Sequence, residues 1–167
     1  MTDDLDIDQR PVSASTPAPI GSALASLRAE REKAAEKLYL DLPVPRYDNL
    51  HIRVQPIEQA DVKRIGERFK KSRDQEAPVK QAATIVATAC IGIFSRGENG
   101  EPLGDPSEWP TFDAEVAAAI DRPDLTRAVD IVRAVYLTDG DIIATQVRIG
   151  EWSGYSTEQL DSEYSGN

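Results

Sequence analysis

Tyr39-Leu40-Asp41-Leu42-Pro43-Val44, then Pro45-Arg46-Tyr47-Asp48-Asn49, then Leu50-His51-Ile52-Arg53-Val54-Gln55 is the stretch that decides the fold class. Its two outer runs place apolar side chains at every second residue, the period of a half-buried strand, and the middle run is rich in turn formers. The sequence therefore predicts a β-hairpin in a chain whose other apolar patterns are helical. Proline cannot donate a ladder hydrogen bond, so Pro43 and Pro45 predict an edge position for the first strand.

Upstream, Leu24, Leu27, Ala34/Ala35 and Leu38 recur at helical spacing from Ser22, the candidate N-cap. Downstream of Pro56, Val62, Ile65 and Phe69 share one face of a second helix, opposite Lys63, Arg64, Lys70 and Lys71. A third helix is predicted after Asp74 with Pro78 in its first turn; its apolar stripe is Val79, Ala82, Ala83, Val86, Cys90 and Ile93. Ile91 to Phe94 reads equally as the end of that helix or a short strand. Asn99-Gly100 predicts a tight reversal and Pro102 to Pro110 a loop. Thr111 is then expected to cap a short helix bearing Phe112, Val116, Ala119 and Ile120. Pro123 is expected near the start of the next, with Leu125, Ala128, Val129, Val132, Val135 and Tyr136 on its apolar face. Thr138-Asp139-Gly140-Asp141 resembles a capping box ahead of Ile142, Ile143 and Val147. The predicted class is α+β, mainly α: about five or six helices with a small β-hairpin.

Residues 1–21 combine an acidic cluster with Pro, Ala, Ser and Thr, and they hold too little apolar surface to offset ordering entropy, so a disordered arm is expected. Residues 22–150 are expected to form a single domain. Residues 151–167 form an acidic tail carrying Trp152, Tyr155, Leu160 and Tyr164, large side chains of the kind that anchor interfaces. Equally, Trp152 and Tyr155 could simply cover the core.

The chain is 167 residues long with a formal charge of -10, a balance that repels nucleic-acid phosphates and anionic membranes. Neither is expected as a partner. No apolar run approaches the roughly 20 residues of a membrane helix, and the acidic start is unlike a signal peptide. A lone Cys90 allows no internal disulfide and fits a reducing compartment.

No residue pattern predicts a catalytic, cofactor or metal site. His51 is the sole histidine and stands on a strand, without the partners a triad or ligand set needs. Cys90 on an apolar stripe is expected to be an inert core thiol. Asp4, Asp6 and Asp8 imitate the start of a calcium loop, but Gln9 and Ser15 occupy the positions that need Gly and Glu. Asp139 and Asp141 are explained by a helix start. The one basic cluster, Lys63, Arg64, Arg68, Lys70, Lys71 and Arg73, lacks the interleaved aromatics of a base-stacking surface. It reads as a solvated helix face, or as a self-association face for the acidic arm or tail of this chain or another copy.

The order of the Pro/Ala-rich acidic arm, Leu40-Asp41-Leu42-Pro43-Val44-Pro45-Arg46-Tyr47-Asp48, the helical middle, Arg133-Ala134-Val135-Tyr136-Leu137-Thr138-Asp139-Gly140-Asp141 and Glu151-Trp152-Ser153-Gly154-Tyr155 resembles the tail assembly chaperones of long-tailed actinobacterial phages and prophages. The resemblance covers most of residues 38 to 164. It implies a protein of the infected cell's cytoplasm that binds the tape measure protein and keeps it soluble while tail tube subunits polymerise. It further implies absence from the finished virion and a second, longer product made by ribosomal frameshifting. A structural tail or head-completion subunit is the main alternative, and an enzyme or regulatory protein with an unrecognised site is a further one.

Overall fold

The structure, a computed structural model, describes residues 21–155. The expected arm and the residues Leu160 and Tyr164 therefore lie outside the described residues. The chain divides into two units, Met1–Lys37 and Leu38–Asn167. In the first unit, helix α1 (Ser22–Glu36) starts after Gly21, not after Ser22, and buries none of its side chains.

The second unit is built on the predicted hairpin. Strands β1 (Leu40–Pro43) and β2 (Leu50–Val54) pair antiparallel, with Leu42 opposite Ile52 and Asp41 opposite Arg53. The period-two pattern is realised as predicted: Leu42, Ile52 and Val54 are buried, while Asp41, His51 and Arg53 point to the other face. Val44 N–H donates to Leu50 O at 2.9 Å, so residues 40, 42 and 44 turn their backbone groups toward β2. Asp41 and Pro43 consequently face the free edge, and Pro43 has no N–H to offer a passing strand.

A third strand, β3 (Cys90–Ser95), adds to β2 antiparallel, giving the order β1-β2-β3. This corrects the expectation that Cys90 and Ile93 continue a helical stripe. Helix α3 (Ala77–Ala89) ends one residue earlier, and Cys90 adopts extended dihedrals as its C-cap. The chain passes from helix to strand without a loop, so one apolar run serves both. The predicted reversal near Asn99-Gly100 is present, with Gly100 N–H donating to Gly97 O and Arg96 bridging to Pro102.

Helix α2 (Gln59–Phe69) buries Val62 and Ile65 as predicted. Helix α3 is the central element and packs against α2, α5 (Ala128–Val135) and α6 (Asp139–Trp152). Its small Ala82, Ala83 and Ala89 are almost wholly buried, which lets the neighbouring helices approach closely. Among the described residues there are six helices and one three-stranded sheet, an α+β fold dominated by helix.

Two further helix starts differ from expectation. Helix α4 (Ala114–Ala119) is capped by Asp113, whose carboxylate accepts from Glu115 N and Val116 N, while Thr111 and Phe112 precede it. Helix α5 begins at Ala128, five residues beyond Pro123. The intervening chain is a turn in which Asp121 takes φ 59, Arg122 N–H donates to Ala117 O and Arg122 pairs with Asp124. Asp tolerates that left-handed conformation better than most residues, and Pro123 thereby serves a turn instead of a helix. At α6 the capping prediction holds, Thr138 Oγ1 accepting from Asp141 N at 3.2 Å.

Candidate functional site

Trp152 and Tyr155, two of the expected tail anchors, are integrated into the fold. Helix α6 continues through Trp152 and stops in a motif made of Ser153, Gly154 and Tyr155. Gly154 has φ 99, its N–H donates to Glu151 O, and Tyr155 N–H donates to Gly150 O at 2.9 Å. This is a Schellman cap, and glycine fits its left-handed position without steric cost. Ser153 Oγ then accepts from Ile57 N at 3.0 Å and the Tyr155 hydroxyl donates to Ile57 O at 3.3 Å. Trp152 and Tyr155 are half-buried and pack against the core. Burial raises the Tyr155 phenol above its ordinary value, with Glu58 and Asp61 adding to the effect. The structure thus ties Tyr155 to the chain just before α2 and packs Trp152 against the core; Leu160 and Tyr164 lie outside the described residues.

The basic cluster occupies the exposed side of α2 and the turn after it. Arg64 pairs with Asp61 at 2.8 Å, and the guanidinium of Arg68 stands 5.6 Å over the Phe69 ring. Among the described residues, Lys63, Arg68, Lys70, Lys71 and Arg73 have no carboxylate partner. On a chain of charge -10 this is an unneutralised cationic strip.

The strip leads into an open groove of about 510 Å³ between α2, α3 and α5. Its floor is Phe69, Ala87, Ala128 and Val129, with Thr84 and Thr88 from α3, and Arg68, Lys80 and Arg127 stand around it. The two threonine hydroxyls are committed to helix carbonyls, donating to Lys80 O and Thr84 O at 2.7 Å each. Lys80 is held by Asp74 and Glu76, and Arg127 by Asp130 at 2.9 Å. The groove therefore offers apolar contact with cations at its margin. A smaller hollow of about 330 Å³ on the other side of Phe69 is lined by Lys70, Asp74, Pro78 and Gln81 among others. Sequence reasoning found Arg68 and the helix faces but not the groove, because the approach of α5 to α3 is a tertiary fact with no local signature.

The outer face of the sheet carries a second cluster. Asp41 accepts from Arg53 at 2.7 and 3.0 Å, and Arg96 reaches the same carboxylate at 3.4 Å. The Arg53 guanidinium lies 3.7 Å from the Tyr39 ring centroid and 4.9 Å from that of Trp109. Trp109 stacks on Phe94 with centroids 4.2 Å apart, its indole N–H donating to Leu103 O at 2.9 Å. Gly92 makes room for it, since a Cβ there would stand 2.9 Å from Trp109 Cε3. The loop 96–110 also closes the edge of β3, with Ile93 N donating to Pro110 O and Leu103 N to Ser95 O. Its groups are satisfied by one another, so the cluster fastens a loop to a sheet.

His51 stands at the margin of this cluster, its Nδ1 3.0 Å from Asn49 O and its ring 5.6 Å from Phe94. Burial pushes the Cys90 thiol up to about 12, which removes its nucleophilic form at neutral pH. Among the described residues no group of three His, Cys, Asp or Glu is placed to hold a metal ion, and no helix is long and apolar enough to cross a membrane. Searches against protein families, curated proteins and solved structures return no match for this chain.

Proposed function

We propose that this chain is a tail assembly chaperone of a long-tailed actinobacterial phage or prophage, acting in the host cytoplasm on the tape measure protein. The observation that carries the reading is the open, apolar-floored groove between α2, α3 and α5 on an otherwise strongly acidic chain. A long helical client with a partly apolar face aggregates through that face, and a groove between helices is a recognised way to cover such a stripe. The net charge of the chaperone then keeps the covered complexes apart through mutual repulsion. The role calls for no cofactor, no nucleic acid and no membrane, and the longer frameshifted form would share the same groove.

The test is co-expression with the long helical reading frame expected immediately downstream. The client is expected in the soluble fraction with this chain and in inclusion bodies without it, and Ala87→Asp together with Val129→Asp in the groove should abolish the rescue. A tape measure protein that is fully soluble alone defeats the proposal. Mass spectrometry of purified virions separates it from a structural tail or head-completion subunit, which would be retained in the particle.

A further inference from the structure

Phe69 separates two hollows of different chemistry. On one side lies the groove of about 510 Å³, whose floor offers no free hydroxyl proton, since Thr84 and Thr88 donate theirs to helix carbonyls. On the other lies the hollow of about 330 Å³, with Lys70, Ser72, Asp74 and Gln81 among its lining residues. Gln81 is only 7% exposed, yet its side-chain amide makes no hydrogen bond among the described residues. Its atoms are not sealed from solvent as the Tyr136 hydroxyl is, so the hollow is where this amide can meet a partner. The groups around it favour an anion. Lys70 has no carboxylate partner among the described residues. The Asp74 carboxylate is occupied by Glu76 N–H at 2.9 Å and by the Lys80 ammonium. Ser72 Oγ accepts from Asp74 N at 3.2 Å and keeps its proton to donate. Helix α3 starts on the wall of the hollow with no acidic residue in its first turn, which adds a positive field. Lys70 Nζ, Ser72 Oγ and Gln81 Nε2 are together the donors of a carboxylate site.

We infer that the two hollows form one site for an acidic amphipathic helix of another protein. Its apolar stripe lies on Phe69, Ala87, Ala128 and Val129, and a glutamate beside that stripe reaches into the smaller hollow, where Lys70, Ser72 and Gln81 bind its carboxylate. Arg68 at the groove margin, likewise without a carboxylate partner among the described residues, meets a second acidic side chain of the same helix. The floor selects for an apolar face and the cations for its acidic border, whereas a helix bordered by Lys or Arg is repelled. Exposed pairs of this kind are individually weak and screened by salt, so they set which helix is taken more than how tightly it is held. The inference rests on the reading of the groove as a helix dock and adds the chemistry of the helix.

The test uses the full chain and two fluorescent helical peptides of about 20 residues that share one leucine stripe, bordered by Glu in the first and by Lys in the second. Fluorescence anisotropy at about 0.1 M salt, where the screening length is about 10 Å, is expected to show the acidic peptide bound roughly tenfold more tightly, and the preference should shrink at about 1 M salt, where it is about 3 Å. Gln81→Glu, which keeps the side chain's size, should weaken the acidic peptide and leave the basic one unweakened. Lys70→Glu stands on the surface and should do the same, which keeps the test open if Gln81→Glu unsettles the fold. Equal binding of the two peptides, or a preference that survives Lys70→Glu, overturns the inference and leaves the groove as a helix dock of another selectivity. Binding of neither peptide removes the dock and the inference together. Acidic-peptide binding beside a client that stays insoluble upholds the inference and defeats the chaperone reading instead.

Discussion

Tyr136 is among the largest fully buried side chains, and its hydroxyl makes no well-formed hydrogen bond among the described residues. The Thr145 hydroxyl is close enough to favour the ionised phenol slightly, but it donates its own proton to Asp141 O at 2.8 Å. A buried, unmatched hydroxyl costs free energy that phenylalanine would not incur. Tyr136→Phe is therefore expected to leave stability unchanged or raise it by up to about 1 kcal/mol, read as the urea midpoint at constant m-value. Gly92 makes the opposite case. Its missing side chain is what admits Trp109, so Gly92→Ala must push an indole that is already stacked and hydrogen-bonded, at a cost of about 1 to 3 kcal/mol in the same measurement. Asp41 holds two guanidinium groups on a face where it is itself only 13% exposed, and Asp41→Ala would leave Arg53 half-buried without its counter-charge. A loss of about 2 kcal/mol is expected, with little change for Asp41→Glu if the longer arm still reaches Arg53.

At the scale of elements, helix α6 depends on its two ends. Thr138→Ala removes the oxygen that accepts from Asp141 N and is expected to cost about 1 kcal/mol, measurable by thermal unfolding. Gly154→Ala strains the far end at φ 99 and should also expose Trp152, visible as a red shift of its fluorescence. The signals for these ends differ in legibility. The capping pattern at Thr138 is local and was readable; Gly154 is equally local, but it sits in a stretch whose acidity and isolated aromatics suggested a tail. The hairpin was readable because alternation survives wherever one strand face is buried. Strand β3 was not, because Val79 to Ile93 is apolar at spacings that a buried helix and a buried strand share, and only pairing with β2 decides between them. The same limit applies to the candidate site. Arg68 and Phe69 could be placed on faces of α2 from the sequence, whereas the groove needs α5 beside α3, and α5 starts at Ala128 because the turn around Asp121 absorbs Pro123.

For the whole molecule, the distribution of ionisable groups sets how stability depends on pH. Several carboxylates are held below their ordinary values: Asp141 by Thr138 and then Arg46, Asp74 by Lys80, Glu76 by Arg133. For such groups the unfolded chain binds protons more readily, so their contribution is present above the ordinary values of 3.8 and 4.5 and is lost as pH falls through the lower folded ones. Cys90 and Tyr136 act on the other side. Burial raises both, Cys90 from 9.0 to about 12, so folding favours their neutral forms. Their contribution is complete below 9.0 and declines as pH rises toward the folded value, because the unfolded thiol and phenol ionise first. The thermal midpoint is therefore expected to be level between pH 4.5 and 9.0 and to fall on both sides. Two variants separate the limbs. Arg133→Gln, which frees Glu76, should lessen the acid loss and leave the alkaline limb as it is. Tyr136→Phe should lessen the alkaline loss and leave the acid limb as it is, since it removes one of the two groups that must stay neutral in the core. An alkaline limb of unchanged steepness in Tyr136→Phe would mean that the general repulsion among the chain's 29 carboxylates and its deprotonating lysines, and not the buried phenol, governs the loss.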